Sequence, residues 1–207
     1  VPLTEDAAIR AVAYHTKYAG FIDAIRPGGD VDENVNDGTR TGFRVAMLFE
    51  PWANVRITPR VLFQKISVDG FNRQEVFNLF RNDFINAAPG EREQFLLLDE
   101  KFIDKTTIAD LTAQVGFGAV ALTSVTSYIN RDILVSRDAS AHSGSVTINP
   151  LGGLGFPVSA ASLPSNLRDS TDLETCTQER RLASTNEGPF QWLIGGFYSD
   201  IERIYAQ

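Results

Sequence analysis

Apolar and polar residues alternate with period two through several long runs of this chain, which restricts it to strands that present one apolar and one watery face. The clearest run is residues 42–50, with Phe43, Val45, Met47 and Phe49 on one side and Arg44, Ala46, Leu48 and Glu50 on the other. A tight turn at Pro51-Trp52-Ala53-Asn54 leads into residues 55–66. There Val55, Ile57, Pro59, Val61 and Phe63 stand against Arg56, Thr58, Arg60, Leu62 and Gln64. Residues 7–18 alternate in the same way, Ile9, Ala11 and Ala13 opposite Arg10, Val12 and Tyr14. Two more runs, residues 104–117 and 119–131, meet at Gly116-Phe117-Gly118. The last is a hairpin, with residues 177–184 turning through Thr185 to Pro189 into the aromatic stretch 190–199. Together these are about seven strands. One helical spacing appears, Val76, Phe77, Phe80 and Phe84 within residues 74–85.

The connections alternate in length. Short turns at 51–54, 116–118 and 185–189 take turns with long segments at 19–40, 67–103 and 132–172. An antiparallel up-and-down meander would collect every short turn at one end and every long loop at the other, as in a transmembrane β-barrel with brief inner turns and longer outer loops. The expected fold is therefore all-β, an incomplete section of such a barrel. A soluble β-sandwich module that binds a ligand or carbohydrate is the alternative, and a passive porin wall is a third. The chain opens at Val1 and stops at Gln207 within a strand-like pattern, so it reads as one partial barrel domain over residues 1–207.

Charge and composition narrow the functional classes. Nineteen basic against 26 acidic residues leave a net charge of −7, which opposes a nucleic-acid backbone. The single cysteine, Cys176, cannot form an internal bridge. No run approaches the ~20 apolar residues of a membrane helix. His15 and His142 lack an evident partner, so no catalytic residue is expected. The acidic stretch Asp30-Val-Asp-Glu-Asn-Val-Asn-Asp-Gly38 fails the calcium-loop template, which would need a glycine at Asp37 and a glutamate at Phe43. Gly152-Gly153-Leu154-Gly155 has no strand-to-helix context followed by a lysine, as a phosphate cradle requires. Neither metal nor cofactor is expected.

Several segments resemble early barrel strands of TonB-dependent outer-membrane receptors. They are Thr177-Gln-Glu-Arg-Arg-Leu-Ala-Ser184, Gln191-Trp192 leading into Gly195-Gly-Phe-Tyr-Ser199, and Leu122-Thr-Ser-Val-Thr-Ser-Tyr-Ile-Asn-Arg131. Supporting echoes are Val1-Pro-Leu3, Ala8-Ile-Arg10, Gly20-Phe-Ile-Asp23, Val35-Asn-Asp37 and Phe49-Glu-Pro51. The resemblance implies a bacterial outer-membrane location and active uptake of a scarce small ligand such as a siderophore. It also implies partners in outer-membrane lipid, a plug domain and, through an N-terminal box, TonB. Neither plug nor box lies in this sequence, and about seven strands cannot close the roughly 22-stranded barrel the resemblance implies.

Within that frame Phe43, Val45, Met47, Phe49, Val55, Ile57, Val61 and Phe63 are the lipid-facing candidates. Arg44, Arg56, Arg60, Gln64, Glu179 and Arg181 are the lumen- or ligand-facing ones. Trp52, Trp192 and Tyr198 suit an interfacial girdle. Cys176 and Arg180 depart from the apolar residues expected at their positions. A lipid-facing arginine costs roughly 2–4 kcal/mol at the midplane and little near the interface, so Arg180 tests the register. The facing of 119–131 is open, because Thr123 and Ser127 alternate with Ser124 and Thr126.

Overall fold

The structure, a computed structural model, describes residues 1–75, 89–140, 143 and 163–207. The helical spacing around Phe80 and Phe84, His142 and the Gly152 cluster fall outside the described residues. Eleven strands occur among them: β1 (Pro2–Thr4), β2 (Ala7–Tyr18), β3 (Asp23–Ile25), β4 (Val31–Asp32), β5 (Gly38–Trp52), β6 (Val55–Val68), β7 (Glu93–Phe95), β8 (Lys101–Phe117), β9 (Val120–Asp138), β10 (Asn166–Ser184) and β11 (Leu193–Ala206).

The protein is all-β. Eight strands form one antiparallel sheet in the order β1-β2-β5-β6-β8-β9-β10-β11, so each long strand pairs with the next long strand in the chain. Seven of them are long, and the eighth, β1, pairs with β2 at Ala7 and Ala8. The sheet does not close. Its edges are β1 and β11, and all 14 residues of β11 are exposed.

The strands run further than alternation alone indicates. β9 and β10 pair without a break from Val120↔Ser184 to Asp138↔Asn166, so the last long connection spans 139–165 rather than 132–172. Towards that end Ile133 and Val135 share one face, while Asp132, Leu134 and Ser136 share the other. With apolar residues on both faces the period-two signal fades, although the backbone ladder continues.

Opposed residues on neighbouring strands share a face, and the registers therefore sort every long strand. Phe43 stands opposite Ala13 and Phe63, Val45 opposite Ala11 and Val61, and Phe49 opposite Ala7 and Ile57. On β8 the same face continues through Ala109, Leu111, Ala113 and Val115. A bulge between Phe49 and Trp52 adds a residue to β5, so Trp52 pairs with Val55 and joins that face. All eight lipid-facing candidates thus stand on one face, the apolar face below. Phe43, Met47, Phe49, Val61 and Leu111 are between 40% and 46% exposed, and no second sheet covers them among the described residues.

The turn between β8 and β9 depends on Gly118, whose φ of +65° is a conformation glycine adopts at no steric cost. What compact packing exists lies at the opposite, long-loop end. There β3 pairs antiparallel with β4 and parallel with β7, and this small sheet buries Ile22, Ala24, Phe95 and Leu96. We call this unit the cap.

Candidate functional site

The face opposite the apolar one is a polar wall that begins in β2 and extends to β10. Arg44, Arg56, Arg60, Gln64, Glu179 and Arg181 all belong to it, linked by register through Leu62, Gln114, Asp110, Gly42, Val125 and Thr123. Most are engaged by neighbours. Arg60 Nε donates to Asp110 at 2.6 Å, Arg56 Nε to Glu50 at 2.7 Å, and Arg181 pairs with Glu179 at 2.5 Å. Arg44 has no ion-pair partner among the described residues.

Higher on the wall, Gln64 Oε1 accepts from the Tyr14 hydroxyl at 2.9 Å and from Arg40 Nε at 2.7 Å. The Arg40 guanidinium lies 5.3 Å from the Tyr14 ring centre. This crossing is possible because the strand between β2 and β6 carries Gly42 at that row: a Cβ there would collide with the Tyr14 ring and hydroxyl and with the Phe63 carbonyl. Gly42→Val is therefore expected to destabilise the sheet by about 1–3 kcal/mol, against about 1 kcal/mol for Tyr14→Phe, which removes only the hydroxyl. Denaturation midpoints of the folded protein compare the two; equal costs would refute the steric account.

Sequence reasoning missed the strongest pair on the wall. Arg131 donates to both oxygens of Asp104, at 3.1 and 2.6 Å. The signal was present in β8, where Asp104, Thr106, Asp110, Thr112 and Gln114 recur at even positions. On β9, Thr123 and Ser127 belong to the wall, whereas Ser124 and Thr126 share the apolar face with Leu122 and Tyr128. That answers the facing left open by the sequence.

The departures Cys176 and Arg180 both lie on the apolar face, Cys176 opposite Tyr128 and Arg180 opposite Ser124 and Gly196. Arg180 belongs to the row Phe49, Ile57, Ala113, Ser124 and Gly196. It stands four residues before the short-turn end of β10 at Ser184. At ~3.3 Å per residue along the strand, that is about 13 Å from the end, beyond the roughly 7 Å that an extended arginine reaches.

The cap is held by polar groups more than by its small apolar core. Arg73 donates to Gln94 Oε1 at 3.1 Å and to Glu100 Oε1 at 3.0 Å, and the Glu100 side chain is fully buried. Glu100 Oε1 also accepts the Asp138 amide at 3.1 Å, and Asp138 in turn accepts the amides of Leu97, Leu98 and Ser140 at 2.5, 2.9 and 2.8 Å. Glu75 accepts the Phe95 amide at 3.1 Å. Burial raises the pKa of both Glu75 and Glu100, since the cap withholds water from their charged forms. Glu100 Oε2 and Gln94 Nε2 are buried without a partner among the described residues.

The acidic stretch serves the same unit. Asp32 and Asp99 clamp Arg26 at 2.7 and 2.6 Å, and the Asn36 side-chain oxygen accepts the amides of Phe21 and Ile22 at 2.7 and 2.9 Å. A cleft of about 670 Å³ opens between the cap and the strand ends, lined by Lys17, Arg26, Asn34, Asp69, Glu100 and Lys101 among others. Asp69 and Lys101 form an ion pair across its floor.

No protein-family model, curated protein or solved structure matches this chain.

Proposed function

We propose that the chain is part of a TonB-dependent outer-membrane receptor, acting in uptake of a scarce small ligand rather than in catalysis. The observation that carries this reading is the apolar face. On β6 it runs from Val55 to Phe63 and on β8 from Ala109 to Phe117, about 20–25 Å at the usual strand rise and tilt. That height matches the apolar band of an outer-membrane barrel, about 25 Å.

The rest of the architecture supports the same reading. A single sheet with one uncovered apolar face suits a wall between lipid and a watery lumen, and the ion-paired opposite face suits the lumenal side. The β5–β6, β8–β9 and β10–β11 turns gather at one end and the cap at the other, as inner turns and an outer loop domain would. In this arrangement Arg44 offers an uncommitted cation to plug or ligand, and the plug and TonB box belong to parts of the protein outside this sequence.

The test is made on the full-length gene product. It is expected in the outer-membrane fraction, with a gel mobility that changes on boiling, and its gene should encode a plug segment upstream of Val1. A deletion strain should lose growth on one scarce nutrient, and that nutrient names the ligand. Recovery in a soluble fraction would instead favour a β-sandwich binding module; membrane insertion without an upstream plug would favour a porin wall.

A further inference from the structure

Resting on that reading, we infer that the basic row just beyond the apolar band docks phosphorylated lipid head groups of the leaflet on the cap side. The row is legible in the registers. On the apolar face, Ala13 in β2 is followed by His15 and Lys17, Phe63 in β6 by Lys65, and Thr107 in β8 by Lys105. Thr41 of β5 stands between His15 and Lys65, and accepts or donates a 2.7 Å hydrogen bond with His15 Nδ1 through its hydroxyl.

Lys65 and Lys105 are directly opposed across two strands. Like charges in that relation destabilise a sheet, and among the described residues no ion pair offsets them. Neither lysine, nor Lys17, has an ion-pair partner among the described residues. Asp132 stands opposite Lys105 on the other side, yet no ion pair joins them. By contrast, every arginine of the polar wall in β6 has a carboxylate within 2.7 Å. In β6 the arginines of the wall are thus neutralised, whereas three lysines on the other face have no ion-pair partner among the described residues.

Position selects the anion. The lysines lie one or two steps past the last residues of the apolar band, at the height where acyl chains give way to head groups, and long lysine stems can lie along apolar surface while the ammonium reaches outward. A phosphate attached to acyl chains satisfies both parts of this surface at once; a free anion satisfies only one. The site is also bounded. Beyond β8 the same face turns acidic, with Asp132, Asp172, Glu174, Asp200 and Glu202 on β9, β10 and β11, so phosphate is repelled there and docking is confined to β2 through β8.

The test uses the full-length protein in phosphatidylcholine nanodiscs, titrated with bis-phosphorylated lipid A, dephosphorylated lipid A and inorganic phosphate. Bis-phosphorylated lipid A should bind in preference to its dephosphorylated form. Lys65→Gln/Lys105→Gln should weaken it about 30-fold, equivalent to about 1 kcal/mol per lysine near an anionic surface. Arg10→Gln/Arg203→Gln, which removes two charges from the opposite face, should leave the affinity within about twofold. Equal binding of both lipids, or equal loss in both double variants, overturns the docking site while leaving the receptor reading intact. Competition by millimolar inorganic phosphate overturns it in favour of a soluble-anion site. A protein that does not enter the nanodiscs at all overturns the receptor reading itself.

Discussion

Met47→Arg is expected to cost the folded full-length protein about 2–4 kcal/mol in a lipid bilayer, whereas Thr112→Arg costs less than about 1 kcal/mol. Met47 lies mid-height in the apolar face, between the rows of Val45 and Phe49, and is 40% exposed with no layer over it among the described residues. An arginine there must surrender its hydration to hydrocarbon. Thr112 is also central in its strand but belongs to the polar wall, opposite Val125 and in the row of Glu179. A new cation there meets water and carboxylates. Arg180→Leu gives the complementary reading. Arg180 stands one row from Met47 towards the short turns, so its removal should stabilise the protein in lipid, by less than the about 2–4 kcal/mol that an arginine costs at the midplane. Urea titrations of the protein folded into vesicles, followed by the boiling-sensitive gel shift, measure all three. Similar costs for Met47→Arg and Thr112→Arg would mean that the apolar face does not meet lipid.

These variants can be placed because the faces were legible in the sequence. Alternation in residues 42–50 and 55–66 assigns Phe43, Val45, Val61 and Phe63 to one side without any knowledge of the partners, and the registers bring those same residues into shared rows. The same parity argument places Glu179 and Arg181 apart from Arg180. Legibility ends where alternation does. The upper halves of β9 and β10 mix Ile133, Asp132 and Leu134 on adjacent positions, so their pairing is a property of the backbone ladder and not of side-chain pattern. β3, β4 and β7 are two or three residues long, too short to show any period, and β3 meets β7 across some 70 residues of chain. The Tyr14, Gly42 and Gln64 crossing escaped for another reason. A glycine in a strand announces a close approach, but which ring approaches depends on a register that single-strand patterns do not contain.

Removal of Arg73 is expected to open the cap at neutral pH and much less in acid. Arg73 is the cation that both Glu100 and Gln94 contact, and Glu100 has no exposed side-chain surface. Taking away one partner of a buried pair costs several kcal/mol, because the remaining charge keeps its desolvation penalty. Arg73 itself is 38% exposed, so water screens part of the interaction and a loss of about 2–3 kcal/mol is expected. Hydrogen-exchange protection of the Phe95 and Leu97 amides, which the Glu75 and Asp138 carboxylates accept, should then fall about 30- to 150-fold in Arg73→Met. The pH dependence follows from the direction of the Glu100 shift. Burial raises its folded-state pKa above the unfolded value, so the folded cap binds more protons between the two values, and stability declines as pH rises through that window. Arg73 lowers the Glu100 pKa within the folded cap. Its removal therefore raises that pKa further and widens the window, and the deficit of Arg73→Met should shrink as pH falls towards the ordinary glutamate value, where Glu100 is protonated in the variant. Arg73→Met/Glu100→Gln, with no charge left to strand, should regain most of the protection and lose most of the pH dependence. A deficit of equal size at both ends of the pH range would show that Arg73 holds the cap by packing its stem rather than by neutralising Glu100.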